Sequence, residues 1–144
     1  MINAETLMAG NILMMDSPFW KDASFKPLRI VKIWKKQDTK TSDEYYAIGL
    51  ETFDEMDLYG CKSYMLKPIS ITAEWLEKLG FKYNHKLDGY VLRESKFGSK
   101  YSFRLHKNDN GFFSLHTVYG KKIEFVHELQ NHLNINFDVK LEIK

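Results

Sequence analysis

The sequence His127-Glu128-Leu129-Gln130-Asn131-His132 is the stretch closest to a catalytic motif, because zinc proteases carry HExxH on a helix. One additional residue separates the two histidines here. At about 100° per residue, His127 and His132 lie roughly 140° apart around a helix, so they cannot bind one metal ion from the same face. We therefore predict no zinc site. His127 and Gln130 are expected to form hydrogen bonds at the edge of a buried stripe made of Ile123, Val126, Leu129 and Leu133.

A second group of polar residues falls on one face of a hairpin predicted around residue 109. His106 and His116 share that face with Arg104 and Ser114. Such a group could bind a phosphate or a substrate carboxylate, but a solvent-exposed sheet face has the same composition. We expect these four side chains to face solvent.

The other reactive residue types lack the neighbours that catalysis needs. Cys61 is the single cysteine, and no histidine is close in sequence to activate it. The acidic cluster over 51–57 lacks the spacing of a calcium-binding loop, and the glycines form no phosphate-binding motif. We therefore predict no catalytic residue, no metal and no cofactor, and a protein that is not an enzyme.

The segment 21–40 could bind nucleic acid, since it holds seven basic and two acidic residues. In that interpretation Lys32, Lys35 and Lys36 contact phosphates. Trp20, Phe25 and Trp34 are the candidate stacking platforms for unpaired bases. Two features favour an ordinary solvated strand instead: lysine rather than arginine dominates the basic residues, and Trp34 lies in an apolar strand that suits the core.

Four aromatic residues are candidates for binding a protein partner, because they fall in predicted loops or turns without an evident core role. They are Phe19, Trp20, Tyr59 and Phe112. Each could equally be a loop residue packed on the neighbouring sheet.

The N-terminal half is predicted to be a small curled sheet or SH3-like barrel. Strands are expected over 12–15, 28–36 and 45–50, with a further short strand over 64–66 and a loop or helical turn over 51–60. A short helix follows, in which Thr72 is the N-cap and Gly80 takes the left-handed C′ position. Phe81 then folds back onto Leu76.

The C-terminal half is predicted to contain a β-hairpin, a second helix and a terminal strand. The hairpin turns at 108–111 and pairs Leu105 with Leu115. The helix is expected over 122–134, and alternation of apolar residues over 137–143 predicts a half-buried strand. The fold class is therefore α+β.

At 144 residues the chain is expected to form a single domain with two lobes, 1–67 and 68–144. Residues 1–15 lack the basic start and the apolar length of a signal peptide, and no apolar run is long enough to span a membrane. We therefore expect a cytoplasmic protein. The oligomeric state is left open.

Three segments resemble a family of small uncharacterised proteins encoded in Bacteroidota genomes, often in phage or prophage regions. Its members share a Gly-Asn start, a P-I-x-L-T-E-E-W-L-x-K-F-G-F helix and a Y-V-H-x-L-Q-N helix. The corresponding segments here are Leu7-x-x-Gly10-Asn11-Ile12, the run from Pro68 to Phe81, and Ile123-x-x-Val126-His127-Glu128-Leu129-Gln130-Asn131. Ser70-Ile71-Thr72-Ala73 replaces the commoner Pro-Leu-Thr-Glu, and Phe125 replaces Tyr.

The resemblance implies a phage-associated accessory protein of the bacterial host cytoplasm. It transfers no catalytic or binding residues. By analogy with other small phage proteins, we expect a non-enzymatic protein that binds a host protein or ribonucleoprotein and could inhibit a defence nuclease. Direct binding of nucleic acid and a structural role in the virion are the alternatives.

Overall fold

The computed structural model describes residues 2, 4–15, 27–41, 44–52, 58–62, 65–96, 99–117 and 121–143. The chain forms two compact units, 1–69 and 70–144. Each unit contains one five-stranded antiparallel sheet, and both helices belong to the second unit. The predicted α+β class is confirmed.

The first unit begins with a 3₁₀ turn, Ala4–Thr6, and its sheet has the order β4-β3-β2-β1-β5. The last strand therefore returns to pair with the first, which is the connectivity of an SH3-like barrel. The strands are β1 (Ile12–Met15), β2 (Pro27–Gln37), β3 (Glu44–Thr52), β4 (Leu58–Lys62) and β5 (Leu66–Lys67). The predicted loop over 51–60 is thus partly strand.

The core of the first unit lies on one face of this sheet. Leu13, Leu28, Ile30, Ile48 and Leu50 are all buried there. The chain enters β1 through Gly10, whose φ is +91°, a value at which glycine carries no steric penalty. The opposite face of the sheet is therefore the one that can carry a binding site.

The second unit is a meander of five strands between two helices. Its sheet has the order β10-β9-β8-β7-β6. The elements are α1 (Ala73–Lys78), β6 (Lys82–Asn84), β7 (Gly89–Lys96), β8 (Ser99–Lys107), β9 (Phe113–His116), β10 (Lys122–Ile123) and α2 (Val126–Phe137). The predicted hairpin is therefore part of a larger sheet, in which β6 and β10 were not predicted.

The start and end of α1 agree with the prediction. The Trp75 N–H donates to Thr72 Oγ1 at 3.3 Å, which caps the first turn. At the other end Gly80 has a φ of +91°, and the Phe81 N–H donates to the Leu76 carbonyl at 2.9 Å. With the bond from the Gly80 N–H to the Glu77 carbonyl, this is a Schellman motif.

The prediction for the C-terminal segment is wrong in two respects. The helix does not span 122–134, because Lys122 and Ile123 pair with β9 and the helix begins only at Val126. It continues to Phe137, where Asp138 adopts a left-handed φ of +53° and its N–H bonds to the Asn134 carbonyl. Residues 138–143 consequently form no strand.

The apolar alternation that suggested a terminal strand has another cause. Val139 and Leu141 are buried while Lys140 and Glu142 are exposed, so the segment is extended and half-buried. The segment bonds to α2 and not to a strand: the Val139 N–H donates to the Leu133 carbonyl, and the Gln130 side-chain amide donates to the Leu141 carbonyl, each at 3.0 Å.

Candidate nucleic-acid interface

A shift in the register of β2 determines which of its side chains leave the core. Ile30 pairs with Leu50, but Lys32 pairs with Gly49, so one residue of β2 is unmatched. Val31, 46% exposed, lies at this irregularity. Because successive side chains of a strand alternate between faces, one unmatched residue exchanges the two faces beyond it.

Even-numbered residues therefore face the core before the shift and away from it afterwards. Leu28 and Ile30 are buried, whereas Lys32 and Lys36 are exposed and Trp34 is half-buried on the outer face. Ile33 packs against the core in their place. The prediction that Trp34 belongs to the core is wrong for this reason.

Trp34 lies between two lysines on the outer face. The Lys32 and Lys36 Nζ atoms are 5.4 Å and 5.3 Å from the centroid of its ring. Both distances are within the range of cation–π attraction. The ring lies beside Gly49 of β3, where an added Cβ would be 3.6 Å from Trp34 Cζ3. The indole therefore lies next to β3, at a distance that would also accommodate alanine at position 49.

The next two strands add a second aromatic residue and a third cation. Tyr45 pairs with Lys36 across β2 and β3, and Lys62 pairs with Ala47 across β3 and β4. The Lys62 Nζ is 4.8 Å from the centroid of the Tyr45 ring. We name the group the cation–aromatic face; it consists of Lys32, Trp34, Lys36, Tyr45 and Lys62.

Two carboxylates in the described part of the first unit have hydrogen-bond partners outside the cation–aromatic face. Glu51 accepts from the Arg29 guanidinium in an ion pair. Asp38 accepts the backbone N–H groups of Lys40 and Thr41, which lower the pKa of its carboxyl, with a smaller contribution from the charge of Lys62. In the part of the chain that the structure describes, no carboxylate forms an ion pair with Lys32, Lys36 or Lys62.

The structure separates the three lysines predicted to act together. Lys35 lies on the other face of β2, where its Nζ is 6.0 Å from the centroid of the Tyr46 ring. Tyr45 and Lys62 were not predicted to contribute. The hairpin joining β2 and β3 could have indicated Tyr45, whereas Lys62 ends β4, most of which lies in the stretch predicted as a loop or helical turn.

The predicted partner-binding aromatics are only partly within the described residues. Phe19 and Trp20 lie outside them, as does Phe25. Tyr59 lies in β4, where its backbone pairs with Leu50. Phe112 is 40% exposed at the tip of the hairpin between β8 and β9.

The remaining chemical candidates, His127 and Cys61, are both buried. His127 is buried on α2, and burial lowers the pKa of its imidazole. Its Nδ1 has no hydrogen-bond partner among the described residues, contrary to the prediction, whereas Gln130 forms the expected bond, to the Leu141 carbonyl. Burial raises the pKa of the Cys61 thiol to about 11, which keeps it protonated and poorly nucleophilic. Among the described residues no group of three or more His, Cys, Asp or Glu side chains is placed to hold a metal ion.

No family model matches the chain, and no curated protein or solved structure matches it. Neither helix in the described ranges has the length and apolar character needed to cross a membrane.

Proposed function

We propose that this protein binds single-stranded nucleic acid through the cation–aromatic face. The observation that carries the proposal is an indole flanked by two lysines on the outer face of a sheet, at 5.4 Å and 5.3 Å. Proteins that bind single strands without sequence preference combine aromatic platforms with cations that follow the backbone.

The interaction energies favour replacing the lysine contacts of the Trp34 ring with a stacked base. An exposed cation–π contact contributes about 0.5–1 kcal/mol. A base stacked on an aromatic side chain contributes about 1–3 kcal/mol. Each lysine displaced from the ring can also contact a phosphate, with release of counterions. The resting contacts therefore hold the cations near the ring without blocking it.

The use of lysine determines what kind of recognition this face supports. A lysine ammonium is a point charge on a flexible stem, whereas base edges are read best by the planar guanidinium of arginine. The one described arginine on these strands, Arg29, is paired with Glu51. We infer contacts to phosphates and ring faces, and hence little sequence preference.

Binding of a labelled 12-nucleotide oligothymidine tests the proposal. The variant Lys32→Gln/Lys36→Gln/Lys62→Gln removes the three cations of the face, and we expect it to bind at least tenfold more weakly at low salt. Lys35→Gln/Lys40→Gln/Lys67→Gln is the matched control, since it removes the same charge from three exposed lysines outside the face. Equal losses in the two variants would contradict a site on this face.

The proposal includes the kind of organism and the compartment in which the protein acts. The three family segments support a phage or prophage protein that acts in the cytoplasm of the bacterial host. In that setting the ligand is an exposed single strand of DNA or RNA, either free or within a ribonucleoprotein.

A second candidate is binding to a host protein, and the exposure of Phe112 favours it. The backbone around this residue is fixed, because the Asn108 N–H donates to the Phe112 carbonyl at 2.6 Å and the Phe112 N–H donates to Asn110 Oδ1 at 3.2 Å. A rigidly held exposed aromatic residue suits an anchor in a protein interface.

A pull-down from bacterial lysate, with and without nuclease, distinguishes the two candidates. A partner that survives nuclease and is lost in Phe112→Ala supports protein binding. Material lost with nuclease supports nucleic-acid binding. Self-association of the purified protein at micromolar concentration would instead support a structural role in the virion.

A further inference from the structure

The sheet of the second unit presents a row of cations on its outer face. Lys82 pairs with Val91, and Val91 pairs with Arg104. His106 pairs with Ser114, and the same register places Arg104 opposite His116, which pairs with Lys122. The row crosses all five strands, and at about 4.8 Å per strand it spans about 19 Å. We name these residues the cross-strand row: Lys82, Val91, Arg104, His116 and Lys122.

The helices pack on the other face of this sheet. The Phe103 ring contacts that of Phe137 on α2, with centroids 4.9 Å apart. The Tyr90 hydroxyl donates to Glu77 Oε1 on α1 at 2.9 Å. Side chains alternate along β7 and β8, so Val91 and Arg104 point away from these contacts. All four polar members of the row are exposed, as is His106, whereas Val91 is buried. The prediction that Ser114 also faces solvent is wrong, because Ser114 is buried and its hydroxyl donates to Asn108 Oδ1 at 2.8 Å.

The charge of this outer face is predominantly positive. Arg93 adds a further exposed cation on β7. At the described outer-face positions of the five strands there is no carboxylate, and the nearby Glu124 pairs with Lys122 at 2.6 Å. Those positions carry no Phe, Tyr or Trp either. At these described positions the face therefore offers contacts to anions but no aromatic ring on which a base could stack.

A hydrogen bond orients the central cation of the row. Arg104 Nε donates to His106 Nε2 at 2.9 Å. This bond uses Nε, the guanidinium nitrogen that is attached to the aliphatic part of the side chain. The two terminal nitrogens take no part in this bond and keep the fork geometry that suits a phosphate.

We propose that the cross-strand row binds the phosphodiester backbone of nucleic acid, as a site separate from the cation–aromatic face. The inference rests on the proposed function in taking nucleic acid as the ligand. It differs in the contacts used: backbone charge alone, without base stacking. It therefore predicts that the protein also binds duplexes, whose bases are not available to Trp34.

Binding to a labelled 16-base-pair DNA duplex and to one of its strands tests this inference. The row variant is Lys82→Gln/Arg104→Gln/Lys122→Gln. The control is Lys86→Gln/Lys107→Gln/Lys140→Gln, which removes three equally exposed cations outside the row. We expect the row variant to bind the duplex about tenfold more weakly at 100 mM salt. The slope of log K against log salt should become shallower by about 0.9 per phosphate contact removed. The control should bind as the unmodified protein does.

The outcomes separate this inference from the proposed function. If row and control variants lose duplex affinity equally, or if the protein binds the single strand but not the duplex, the cross-strand row is not the site. If the protein binds the duplex through the row while Trp34→Ala leaves single-strand binding unchanged, the row stands and the proposed function fails. Absence of binding to either probe overturns both. Urea midpoints within 0.5 M of the unmodified protein (roughly the effect of 0.5–1 kcal/mol) establish that the variants are folded.

Discussion

Gly89 and Gly49 are two strand glycines that differ in the room they leave for a side chain. A Cβ on Gly89 would lie 2.7 Å from the Leu105 carbonyl oxygen, a backbone atom that cannot rotate away. We expect Gly89→Ala to lower the free energy of unfolding by about 1–3 kcal/mol, because strands β7 and β8 must separate locally. Urea unfolding measures the change.

Gly49→Ala is the matched control for that substitution. Its added Cβ would be 3.6 Å from Trp34 Cζ3, an ordinary contact distance. We expect the free energy of unfolding to change by less than about 1 kcal/mol, because the added Cβ meets no close contact and glycine itself weakens a strand interior. If the two substitutions destabilise the protein equally, the short distance to the Leu105 carbonyl oxygen is not the reason that position 89 requires glycine.

His127 makes the stability of the second unit dependent on pH. Burial is the main cause that lowers the pKa of its imidazole below the ordinary 6.5, while the charge of Glu128 acts in the opposite direction. In the unfolded chain this imidazole gains a proton as the pH falls below 6.5, and in the folded protein it remains neutral until lower pH. Stability is therefore retained above pH 6.5 and lost as the pH falls towards the folded pKa.

We expect His127→Leu to reduce the loss of unfolding free energy between pH 7.5 and pH 5.5. His132→Gln is the comparison, because burial also lowers the pKa of His132 but its side chain is more exposed. Between the same pH values, the unfolding free energy of His132→Gln should still fall by most of the amount seen in the unmodified protein. An unchanged pH dependence in His127→Leu, measured by urea unfolding at the two pH values, would contradict this role.

At the scale of the element, α1 depends on its N-cap. The helix has only six residues, so few hydrogen bonds inside it compensate for a lost cap. We expect Thr72→Ala to cost about 1 kcal/mol of stability, because the Trp75 N–H loses its acceptor. Thr72→Ser keeps the hydroxyl and should remain within about 0.5 kcal/mol of the unmodified protein by the same measurement. Similar values for both variants would exclude the cap as the cause.

The elements that could be predicted are those whose hydrogen bonds form between residues close in sequence. The cap at Thr72 and the turn at Gly80 belong to this class. So does the hairpin between β8 and β9, where Gly111 has a φ of +87°. Its register pairs His106 with Ser114, which is the register of the predicted pair Leu105–Leu115. Their partners lie within about ten residues along the chain, so local sequence determines them.

The C-terminal tail shows why other elements could not be predicted. The alternation of Val139 and Leu141 with charged residues indicates a half-buried extended segment, and that part of the prediction is confirmed. Whether such a segment joins a sheet depends on a partner distant in sequence. Here the partner of the Leu141 carbonyl is the Gln130 side chain.

At the scale of the whole molecule, the candidate site depends on a single unmatched residue in β2. Strict alternation from Leu28 places Trp34 in the core, and no local signal marks the shift between Ile30 and Lys32. Alternation within the predicted strand already places Lys32 and Lys36 on one face and Lys35 on the other. Which of these faces points away from the core depends on the shift and could not be predicted. The two units divide the chemistry in the proposals, with stacking assigned to the first sheet and backbone charge to the second.

The most direct test of the central claim is the fluorescence of Trp34 during titration with oligothymidine. Bases that stack on an indole quench its emission. The protein has three tryptophans, and Trp34→Phe leaves the other two in place. We expect quenching that saturates in the unmodified protein and is largely lost in Trp34→Phe. Binding by Trp34→Ala should be weaker by about 5- to 150-fold, as expected for one stacked base. Saturable binding whose quenching persists in Trp34→Phe, or binding without any quenching, would contradict the proposed face.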